Sequence, residues 1–299
     1  MTLRPIFIGG CQRSGTTFLG SLLGAAPGVV TVPESSFRIP WARANGPKEA
    51  LRRMRQHGSY ENWRPTVEVE AVPEETDART LMDLLVRRYA SGHGIPEPNV
   101  WIDHTPQNVR YATLTAEQFP DARFIHIVRD GRAVAASIMP LTWGPNTIVE
   151  AAQLWIGRVA HGVALETSPT LGPRTMRIRY EDVVTSPEST LKALCGFCEI
   201  EFRPEMLKGG RFDVPESTQH QHSLVGRPPE AARASAWETQ LTPREVEIFE
   251  AKAGELLRLL GYETRYGTGA RGPSKRESLE MVTAELMRRK FANAFRKNR

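Results

Sequence analysis

Short apolar runs bounded by turn residues alternate along the chain with longer stretches whose apolar positions recur every three or four residues. Residues 6–8 form the first apolar run, and after Gly15 the residues Phe18, Leu19, Leu22 and Leu23 fall at helical spacing. Residues 28–32 predict a second strand that ends at Pro33-Glu34-Ser35-Ser36. Residues 77–89 predict an amphipathic helix through Leu81, Leu84 and Leu85, and residues 100–103 a short strand. A turn follows, because Pro106 disfavours helix at Thr105. Residues 119–128 predict a buried strand preceded by a turn, residues 148–166 a helix with Ala151, Leu154, Trp155, Val159 and Val163 on one face, and residues 174–179 an alternating strand. A helix over 187–198 comes next. Another is opened by Thr242 as N-cap with Pro243 at its first position and stopped at Gly261. Strands and helices alternate throughout, which predicts an α/β fold, a P-loop-like central parallel β-sheet flanked by helices on both faces.

Two stretches break the pattern. Residues 38–75 are rich in Arg, Pro and Trp, lack periodicity, and suit either a substrate-binding cap or an insertion packed by Trp41, Tyr60 and Trp63. Residues 264–275 form a Gly/Pro/Arg linker to a last helix with Leu279, Val282, Leu286 and Phe291 along an apolar edge. The expected division is a body over 1–265 and a basic linker with C-terminal helix over 266–299. That helix could dock on the body, pair with another subunit in a homo-oligomer, or lie peripherally on an anionic membrane.

The first strand, turn and helix carry candidate chemistry. A glycine-bearing turn at a helix start aims backbone N–H groups and the positive end of the helix dipole at one spot, where phosphate or sulfate fits. The spacing Gly10-x-x-x-x-Gly15-Thr16-Thr17 follows the P-loop pattern except that Thr16 stands where an NTPase has Lys. Without that Lys on the β/γ-phosphates, ATP or GTP hydrolysis is disfavoured. Arg13 is the one fixed cation of the loop and can grip a smaller tetrahedral anion through its planar fork.

Composition narrows the setting. A chain of 299 residues allows one large or two ordinary domains. Met1-Thr-Leu-Arg4 runs straight into the first strand without a signal-peptide pattern, and no apolar run approaches a membrane span. The three cysteines make no disulfide framework, and Cys195-x-x-Cys198 lacks a second ligand pair for zinc, so a cytoplasmic protein without a metal is expected. The formal net charge is +5, yet residues 271–299 alone hold nine Lys/Arg against three Glu. The remainder is close to neutral, which argues against a nucleic-acid partner.

Gln12-Arg-Ser-Gly-Thr-Thr17 resembles the 5′-phosphosulfate loop of sulfotransferases that use 3′-phosphoadenosine-5′-phosphosulfate (PAPS), in the Arg-Ser-Gly-Thr-Thr form of tyrosylprotein and many bacterial sulfotransferases. Arg129 at a strand end, with Ser137 eight residues on, resembles the family's 3′-phosphate motif. Arg179-Tyr-Glu-Asp182 and Ser235-Ala-Trp237 recur in family order. The resemblance covers residues 5–262 and implies transfer of a sulfuryl group from PAPS to a hydroxyl or amine, with release of PAP (3′,5′-adenosine bisphosphate). By residue, it implies that Arg13, Ser14, Gly15, Thr16 and Thr17 hold the 5′-phosphate side, Arg129 and Ser137 the 3′-phosphate, Tyr180 the adenine, and that Ser235 approaches the phosphates. Asp130 and Arg132 are expected to hold their turn, Asp182 to cap a helix, and Trp237 to pack.

Glu34 matches the family's general base by its place after the second strand. His104 stands where the resembling bacterial enzymes often carry a Lys that contacts the transferring group. Protonated, His104 could stabilise charge on the bridging oxygen. Neutral, it could share or replace the base role. His220 and His222 could bind metal but have no partner ligands in sight, and are expected to be loop. The expected acceptor is a small molecule or glycan: a carbohydrate, lipid or secondary metabolite. The alternatives are a P-loop-type small-molecule kinase, disfavoured by Thr16 and the Arg129/Ser137 pair, and a non-catalytic nucleotide-binding protein of the same fold, kept open by His104.

Overall fold

A computed structural model of the chain describes residues 2–63, 76–95, 97–215, 219 and 225–297. In chain order its elements begin with β1 (Arg4–Gly10), α1 (Thr16–Leu23), β2 (Val29–Val32), α2 (Arg38–Trp41), α3 (Pro47–Arg55) and α4 (Ala78–Gly92). They continue with β3 (Val100–Asp103), α5 (Ala112–Gln118), β4 (Arg123–Val128), α6 (Gly131–Ile138), α7 (Ile148–Glu166), β5 (Thr175–Arg179), α8 (Tyr180–Thr185) and α9 (Pro187–Cys198). The last are α10 (Trp237–Gln240), α11 (Pro243–Leu259) and α12 (Lys275–Lys297). The strands form a five-stranded sheet in the order β2-β3-β1-β4-β5, and every pair in it is parallel. The fold is the expected α/β class, a central parallel sheet with flanking helices. β1, the central strand, is buried from Pro5 to Gly10, as a strand covered on both faces must be.

The chain divides into two compact units. One comprises residues 1–128 and 161–231, the other residues 129–160 and 232–299. The expected boundary at 265/266 does not coincide with this division. Residues 266–299 group with 129–160 and 232–265, and each unit is built from two chain segments.

The first unit holds the sheet and a large apolar cluster. Phe7 of β1 packs edge-on to Trp101 with centroids 5.2 Å apart, and lies 5.5 Å from Phe119 and 5.8 Å from Phe124. The described part of the 38–75 segment joins this cluster: Phe37 meets Trp41, Tyr60 and Trp63 at 6.2, 6.0 and 5.7 Å, and all four are buried. Trp41, Tyr60 and Trp63 therefore pack as core. Residues 64–75 of that segment, and His220 and His222, lie outside the described residues.

In the second unit a buried charged centre stands beside apolar residues such as Trp155 and Phe249. Arg132 bonds Asp130 through Nε and Nη2 at 3.0 and 2.7 Å, Glu250 Oε1 through Nη1 at 2.6 Å, and the Glu263 carbonyl through Nη2 at 2.9 Å. Its guanidinium also stacks 4.2 Å from the Trp237 ring. Four bonds from one fixed fork thus tie the start of α6 to α11 and to the chain beyond it.

Candidate active site

Because the strands are parallel, the segments that leave β1, β2, β3 and β5 all emerge at one edge of the sheet, the edge where ligands bind in such folds. The β1 segment is a tight loop. Gly10 lies so close to β4 that a Cβ there would sit 2.2 Å from the Ile127 carbonyl oxygen. Ser14 N–H donates to the Cys11 carbonyl at 3.1 Å. Arg13 adopts φ 70°, the left-handed region that a non-glycine residue enters at a cost of about 1 kcal/mol. Backbone strain of this kind collects at ligand-binding loops.

Gly15 caps α1 with φ 92° and no side-chain cap bond. A Cβ there would also meet the Tyr180 ring at 2.7 Å. The first turn of α1 is therefore left to an external acceptor. Ser14 Oγ is buried with no hydrogen-bond partner among the described residues, and so is the oxygen of the Gln12 amide, whose two ends interchange easily. A buried hydroxyl and an uncapped helix start suit a phosphate or sulfate oxygen.

Tyr180 stands at the first position of α8, just beyond β5, with its ring under this loop and 6.5 Å from Phe18. At 1% exposure it supports the loop from below.

His104, the first residue after β3, is buried, and its Nδ1 lies 3.2 Å from Thr17 Oγ1. Phe212 packs edge-on against the imidazole at 5.0 Å. Burial pushes the His104 pKa down to about 4, against a smaller upward pull from Asp103. Of the two charge states open from sequence, burial selects the neutral one at neutral pH. Nε2 is buried without a hydrogen-bond partner among the described residues.

Glu34, two residues beyond β2, is half-buried, and its carbonyl accepts from Trp63 Nε1 at 3.4 Å. Burial, aided by the Asp103 carboxylate, raises its pKa to about 7. A carboxyl poised there can be a base and then hold the proton.

Both residues hang on a network that sequence reasoning missed. Arg38 and Asp103 form a buried ion pair at 3.2 Å. Arg38 Nε also donates to Ser35 Oγ at 2.8 Å and Nη2 to Asn108 Oδ1 at 2.9 Å. Asp103 accepts from Ser35 Oγ, and from the Thr105 N–H and hydroxyl at 2.8 and 2.5 Å. Asn108 closes the network by donating to the Ile8 carbonyl at 3.0 Å. Burial alone would raise the Asp103 carboxyl, but Arg38 and the Ser35 and Thr105 donors hold it below the ordinary range. The ends of β1, β2 and β3 are thereby locked together, with Glu34 and His104 each one residue from a member of the network. The signal in sequence was slight: an Asp closing an apolar strand, and an Arg inside a segment that looked like a cap.

The 3′-phosphate candidates belong to the second unit. Arg129 is the residue after Val128, the last of β4, and its carbonyl accepts from Trp155 Nε1 at 3.1 Å. Asp130 caps α6 by accepting from the Arg132 N–H at 2.9 Å, so Asp130 and Arg132 hold the turn as expected. Ser137 is half-buried near the end of α6, and Ser235 is exposed just before α10. Trp237 is the packing residue expected, laid over Arg132.

The cysteines are buried free thiols, and burial raises Cys195 to about 11 and Cys198 to about 12, far from a thiolate at neutral pH. No group of three or more His, Cys, Asp or Glu that could hold a metal occurs among the described residues.

Comparison with known proteins agrees with this architecture. The chain is 26% identical over 277 residues to the protein-tyrosine sulfotransferase of Drosophila melanogaster, covering 86% of this chain and 51% of that protein. It is 24% identical to protein-tyrosine sulfotransferase A of Caenorhabditis elegans, covering 86% of this chain and 67% of that one. The chain thus spans about half the length of the Drosophila relative. Among solved structures, the sulfotransferase domain of the Synechococcus PCC 7002 olefin synthase superposes with a TM-score of 0.62 at 22% identity, over 88% of this chain and 96% of that one. The sulfotransferase domain from the curacin biosynthetic pathway gives 0.58 at 19% identity, over 88% and 99%. At such identities the two structures speak for the fold. The sulfotransferase family profile matches residues 5–204, two-thirds of the chain, and the chain is therefore a member of the sulfotransferase family.

Proposed function

We propose that the chain transfers a sulfuryl group from PAPS to a hydroxyl or amine of a small-molecule or glycan acceptor and releases PAP. The observation that carries this reading is the loop before α1, with its uncapped helix start, its buried Ser14 hydroxyl, Thr16 where a P-loop has Lys, and Arg13 as its cation. Such a loop holds one tetrahedral anion and lacks the Lys that a γ-phosphate needs.

In this reading the acceptor oxygen attacks sulfur as the bond from sulfur to the bridging oxygen breaks. The electron pair of that bond leaves with the 5′-phosphate, and the acceptor proton passes to Glu34. Arg13 and the 14–17 loop stabilise the charge that develops on the departing phosphate. Neutral His104, fixed by Thr17, orients the reacting groups. It can donate from Nε2 when Nδ1 accepts the Thr17 hydroxyl, or serve as a second base in the other tautomer. Arg129 and Ser137 take the 3′-phosphate, the group that separates PAPS from ATP. The sulfuryl group in flight carries a single negative charge, so positioning and fixed donors suffice without a metal.

Isothermal titration with PAP and with ATP, each without Mg²⁺, tests the donor. Tight binding of PAP alone is expected. Equal binding of ATP, or ATP binding restored by Mg²⁺, overturns the reading in favour of a kinase.

A further inference from the structure

The C-terminal helix α12 is turned inside out relative to an ordinary surface helix. Its polar side faces the second unit: Glu277 pairs with Arg244 at 2.8 Å, and Glu285 lies 3.5 Å from Asn146 Nδ2. Its apolar edge faces outward, with Leu279, Val282 and Leu286 at 65%, 55% and 59% exposure. These positions recur at three and four residues and form one stripe. Asn146 brings the 141–147 loop to the helix, and that loop carries Trp143, 51% exposed.

The charge beyond the stripe is of one sign. Each of the three acidic residues of this helix is engaged, Glu280 with Arg276 at 2.9 Å and the others as above. Beyond Glu285 the sequence holds six Lys/Arg and no acidic residue. Two copies of such a face would repel, whereas an anionic surface would be attracted. An exposed apolar stripe followed in sequence by a basic run is the pattern of a helix lying in a lipid interface. No helix among the described residues is long and apolar enough to cross a membrane.

The geometry points to a peripheral membrane contact: α12 lays Leu279, Val282 and Leu286 into the headgroup boundary of an anionic bilayer, with the basic end of the chain toward the lipid phosphates. Donor chemistry plays no part in this assignment, so it stands or falls separately from the proposed activity.

The test is cosedimentation of the full chain with phosphatidylglycerol/phosphatidylcholine vesicles and with phosphatidylcholine vesicles, across a salt series. Binding to the anionic vesicles is expected, weakening as salt rises and little for phosphatidylcholine. Leu279→Gln/Leu286→Gln keeps the charge and changes only exposed positions. It should weaken anionic-vesicle binding by about tenfold or more while leaving PAP affinity unchanged. Unchanged vesicle binding in the variant would overturn the assignment, by showing that charge alone acts, as would equal binding of both vesicle types or none. A wild-type dimer that the variant dissociates in sedimentation velocity would also overturn it, and would assign the stripe to a second copy.

Discussion

His104 Nδ1 lies 3.2 Å from Thr17 Oγ1, which joins the end of β3 to the first turn of α1. One contact thus couples a proposed catalytic residue to the loop proposed to hold the 5′-phosphate. His104→Ala should lower kcat by about a hundredfold or more with a small change in PAP affinity. Thr17→Val should lower kcat less and shift its pH profile, because the tautomer is no longer fixed. Steady-state kinetics beside PAP titration separates the two parameters. Full turnover in His104→Ala would remove the residue from the mechanism.

Glu34 sets a pH dependence with a definite sign. Its pKa of about 7 exceeds the ordinary 4.5, so the folded state holds this proton more tightly than the unfolded chain. The associated stability is fully present below about pH 4.5 and is lost as pH rises through about 7. Glu34→Gln should therefore unfold at higher denaturant than wild type at pH 8, by on the order of 2 kcal/mol, and match it at pH 4. Activity runs the other way, since the base must be ionised: kcat/KM of the wild type should rise through pH 7, and Glu34→Gln should lose turnover. A Glu34→Gln enzyme with wild-type turnover at saturating donor would sink the base assignment.

Arg38 and Asp103 should behave as a unit. Removing either charge strands the other in the interior, and Arg38→Met or Asp103→Asn should each cost about 3–5 kcal/mol in urea unfolding. Arg38→Met/Asp103→Leu, which removes both charges, should recover much of that loss. Additive losses in the double variant would mean that the pair is not the centre of the network.

Arg129 should be read out by the 3′-phosphate alone. Arg129→Ala should weaken PAP binding by about tenfold or more and leave the binding of adenosine 5′-monophosphate unchanged. Calorimetry with both nucleotides on both proteins checks this. Equal weakening for the two would place Arg129 elsewhere than on the 3′-phosphate.

Much of this was legible from spacing. The helices over 148–166 and 187–198 and the strand over 100–103 stand at the predicted bounds, because period and punctuation agreed there. The loop of residues 10–17 was visible for the same reason: a strand, two close glycines and a helix start are local chemistry. The Arg38–Asp103 pair was not. Its partners are 65 residues apart, and nothing local distinguishes an Arg that will be buried from one that will be solvated. The burial of Tyr180 against Gly15, and the outward turn of the α12 stripe, were invisible on the same ground.

The sequence by itself determined the α/β class, the order of the elements and the anion loop, since these follow from periodicity and from the conformations that Gly and Pro permit or forbid. Only the tertiary structure decided which charges meet and which are stripped of water. Burial, which made His104 neutral and brought Glu34 near neutrality, is a property of the packed chain.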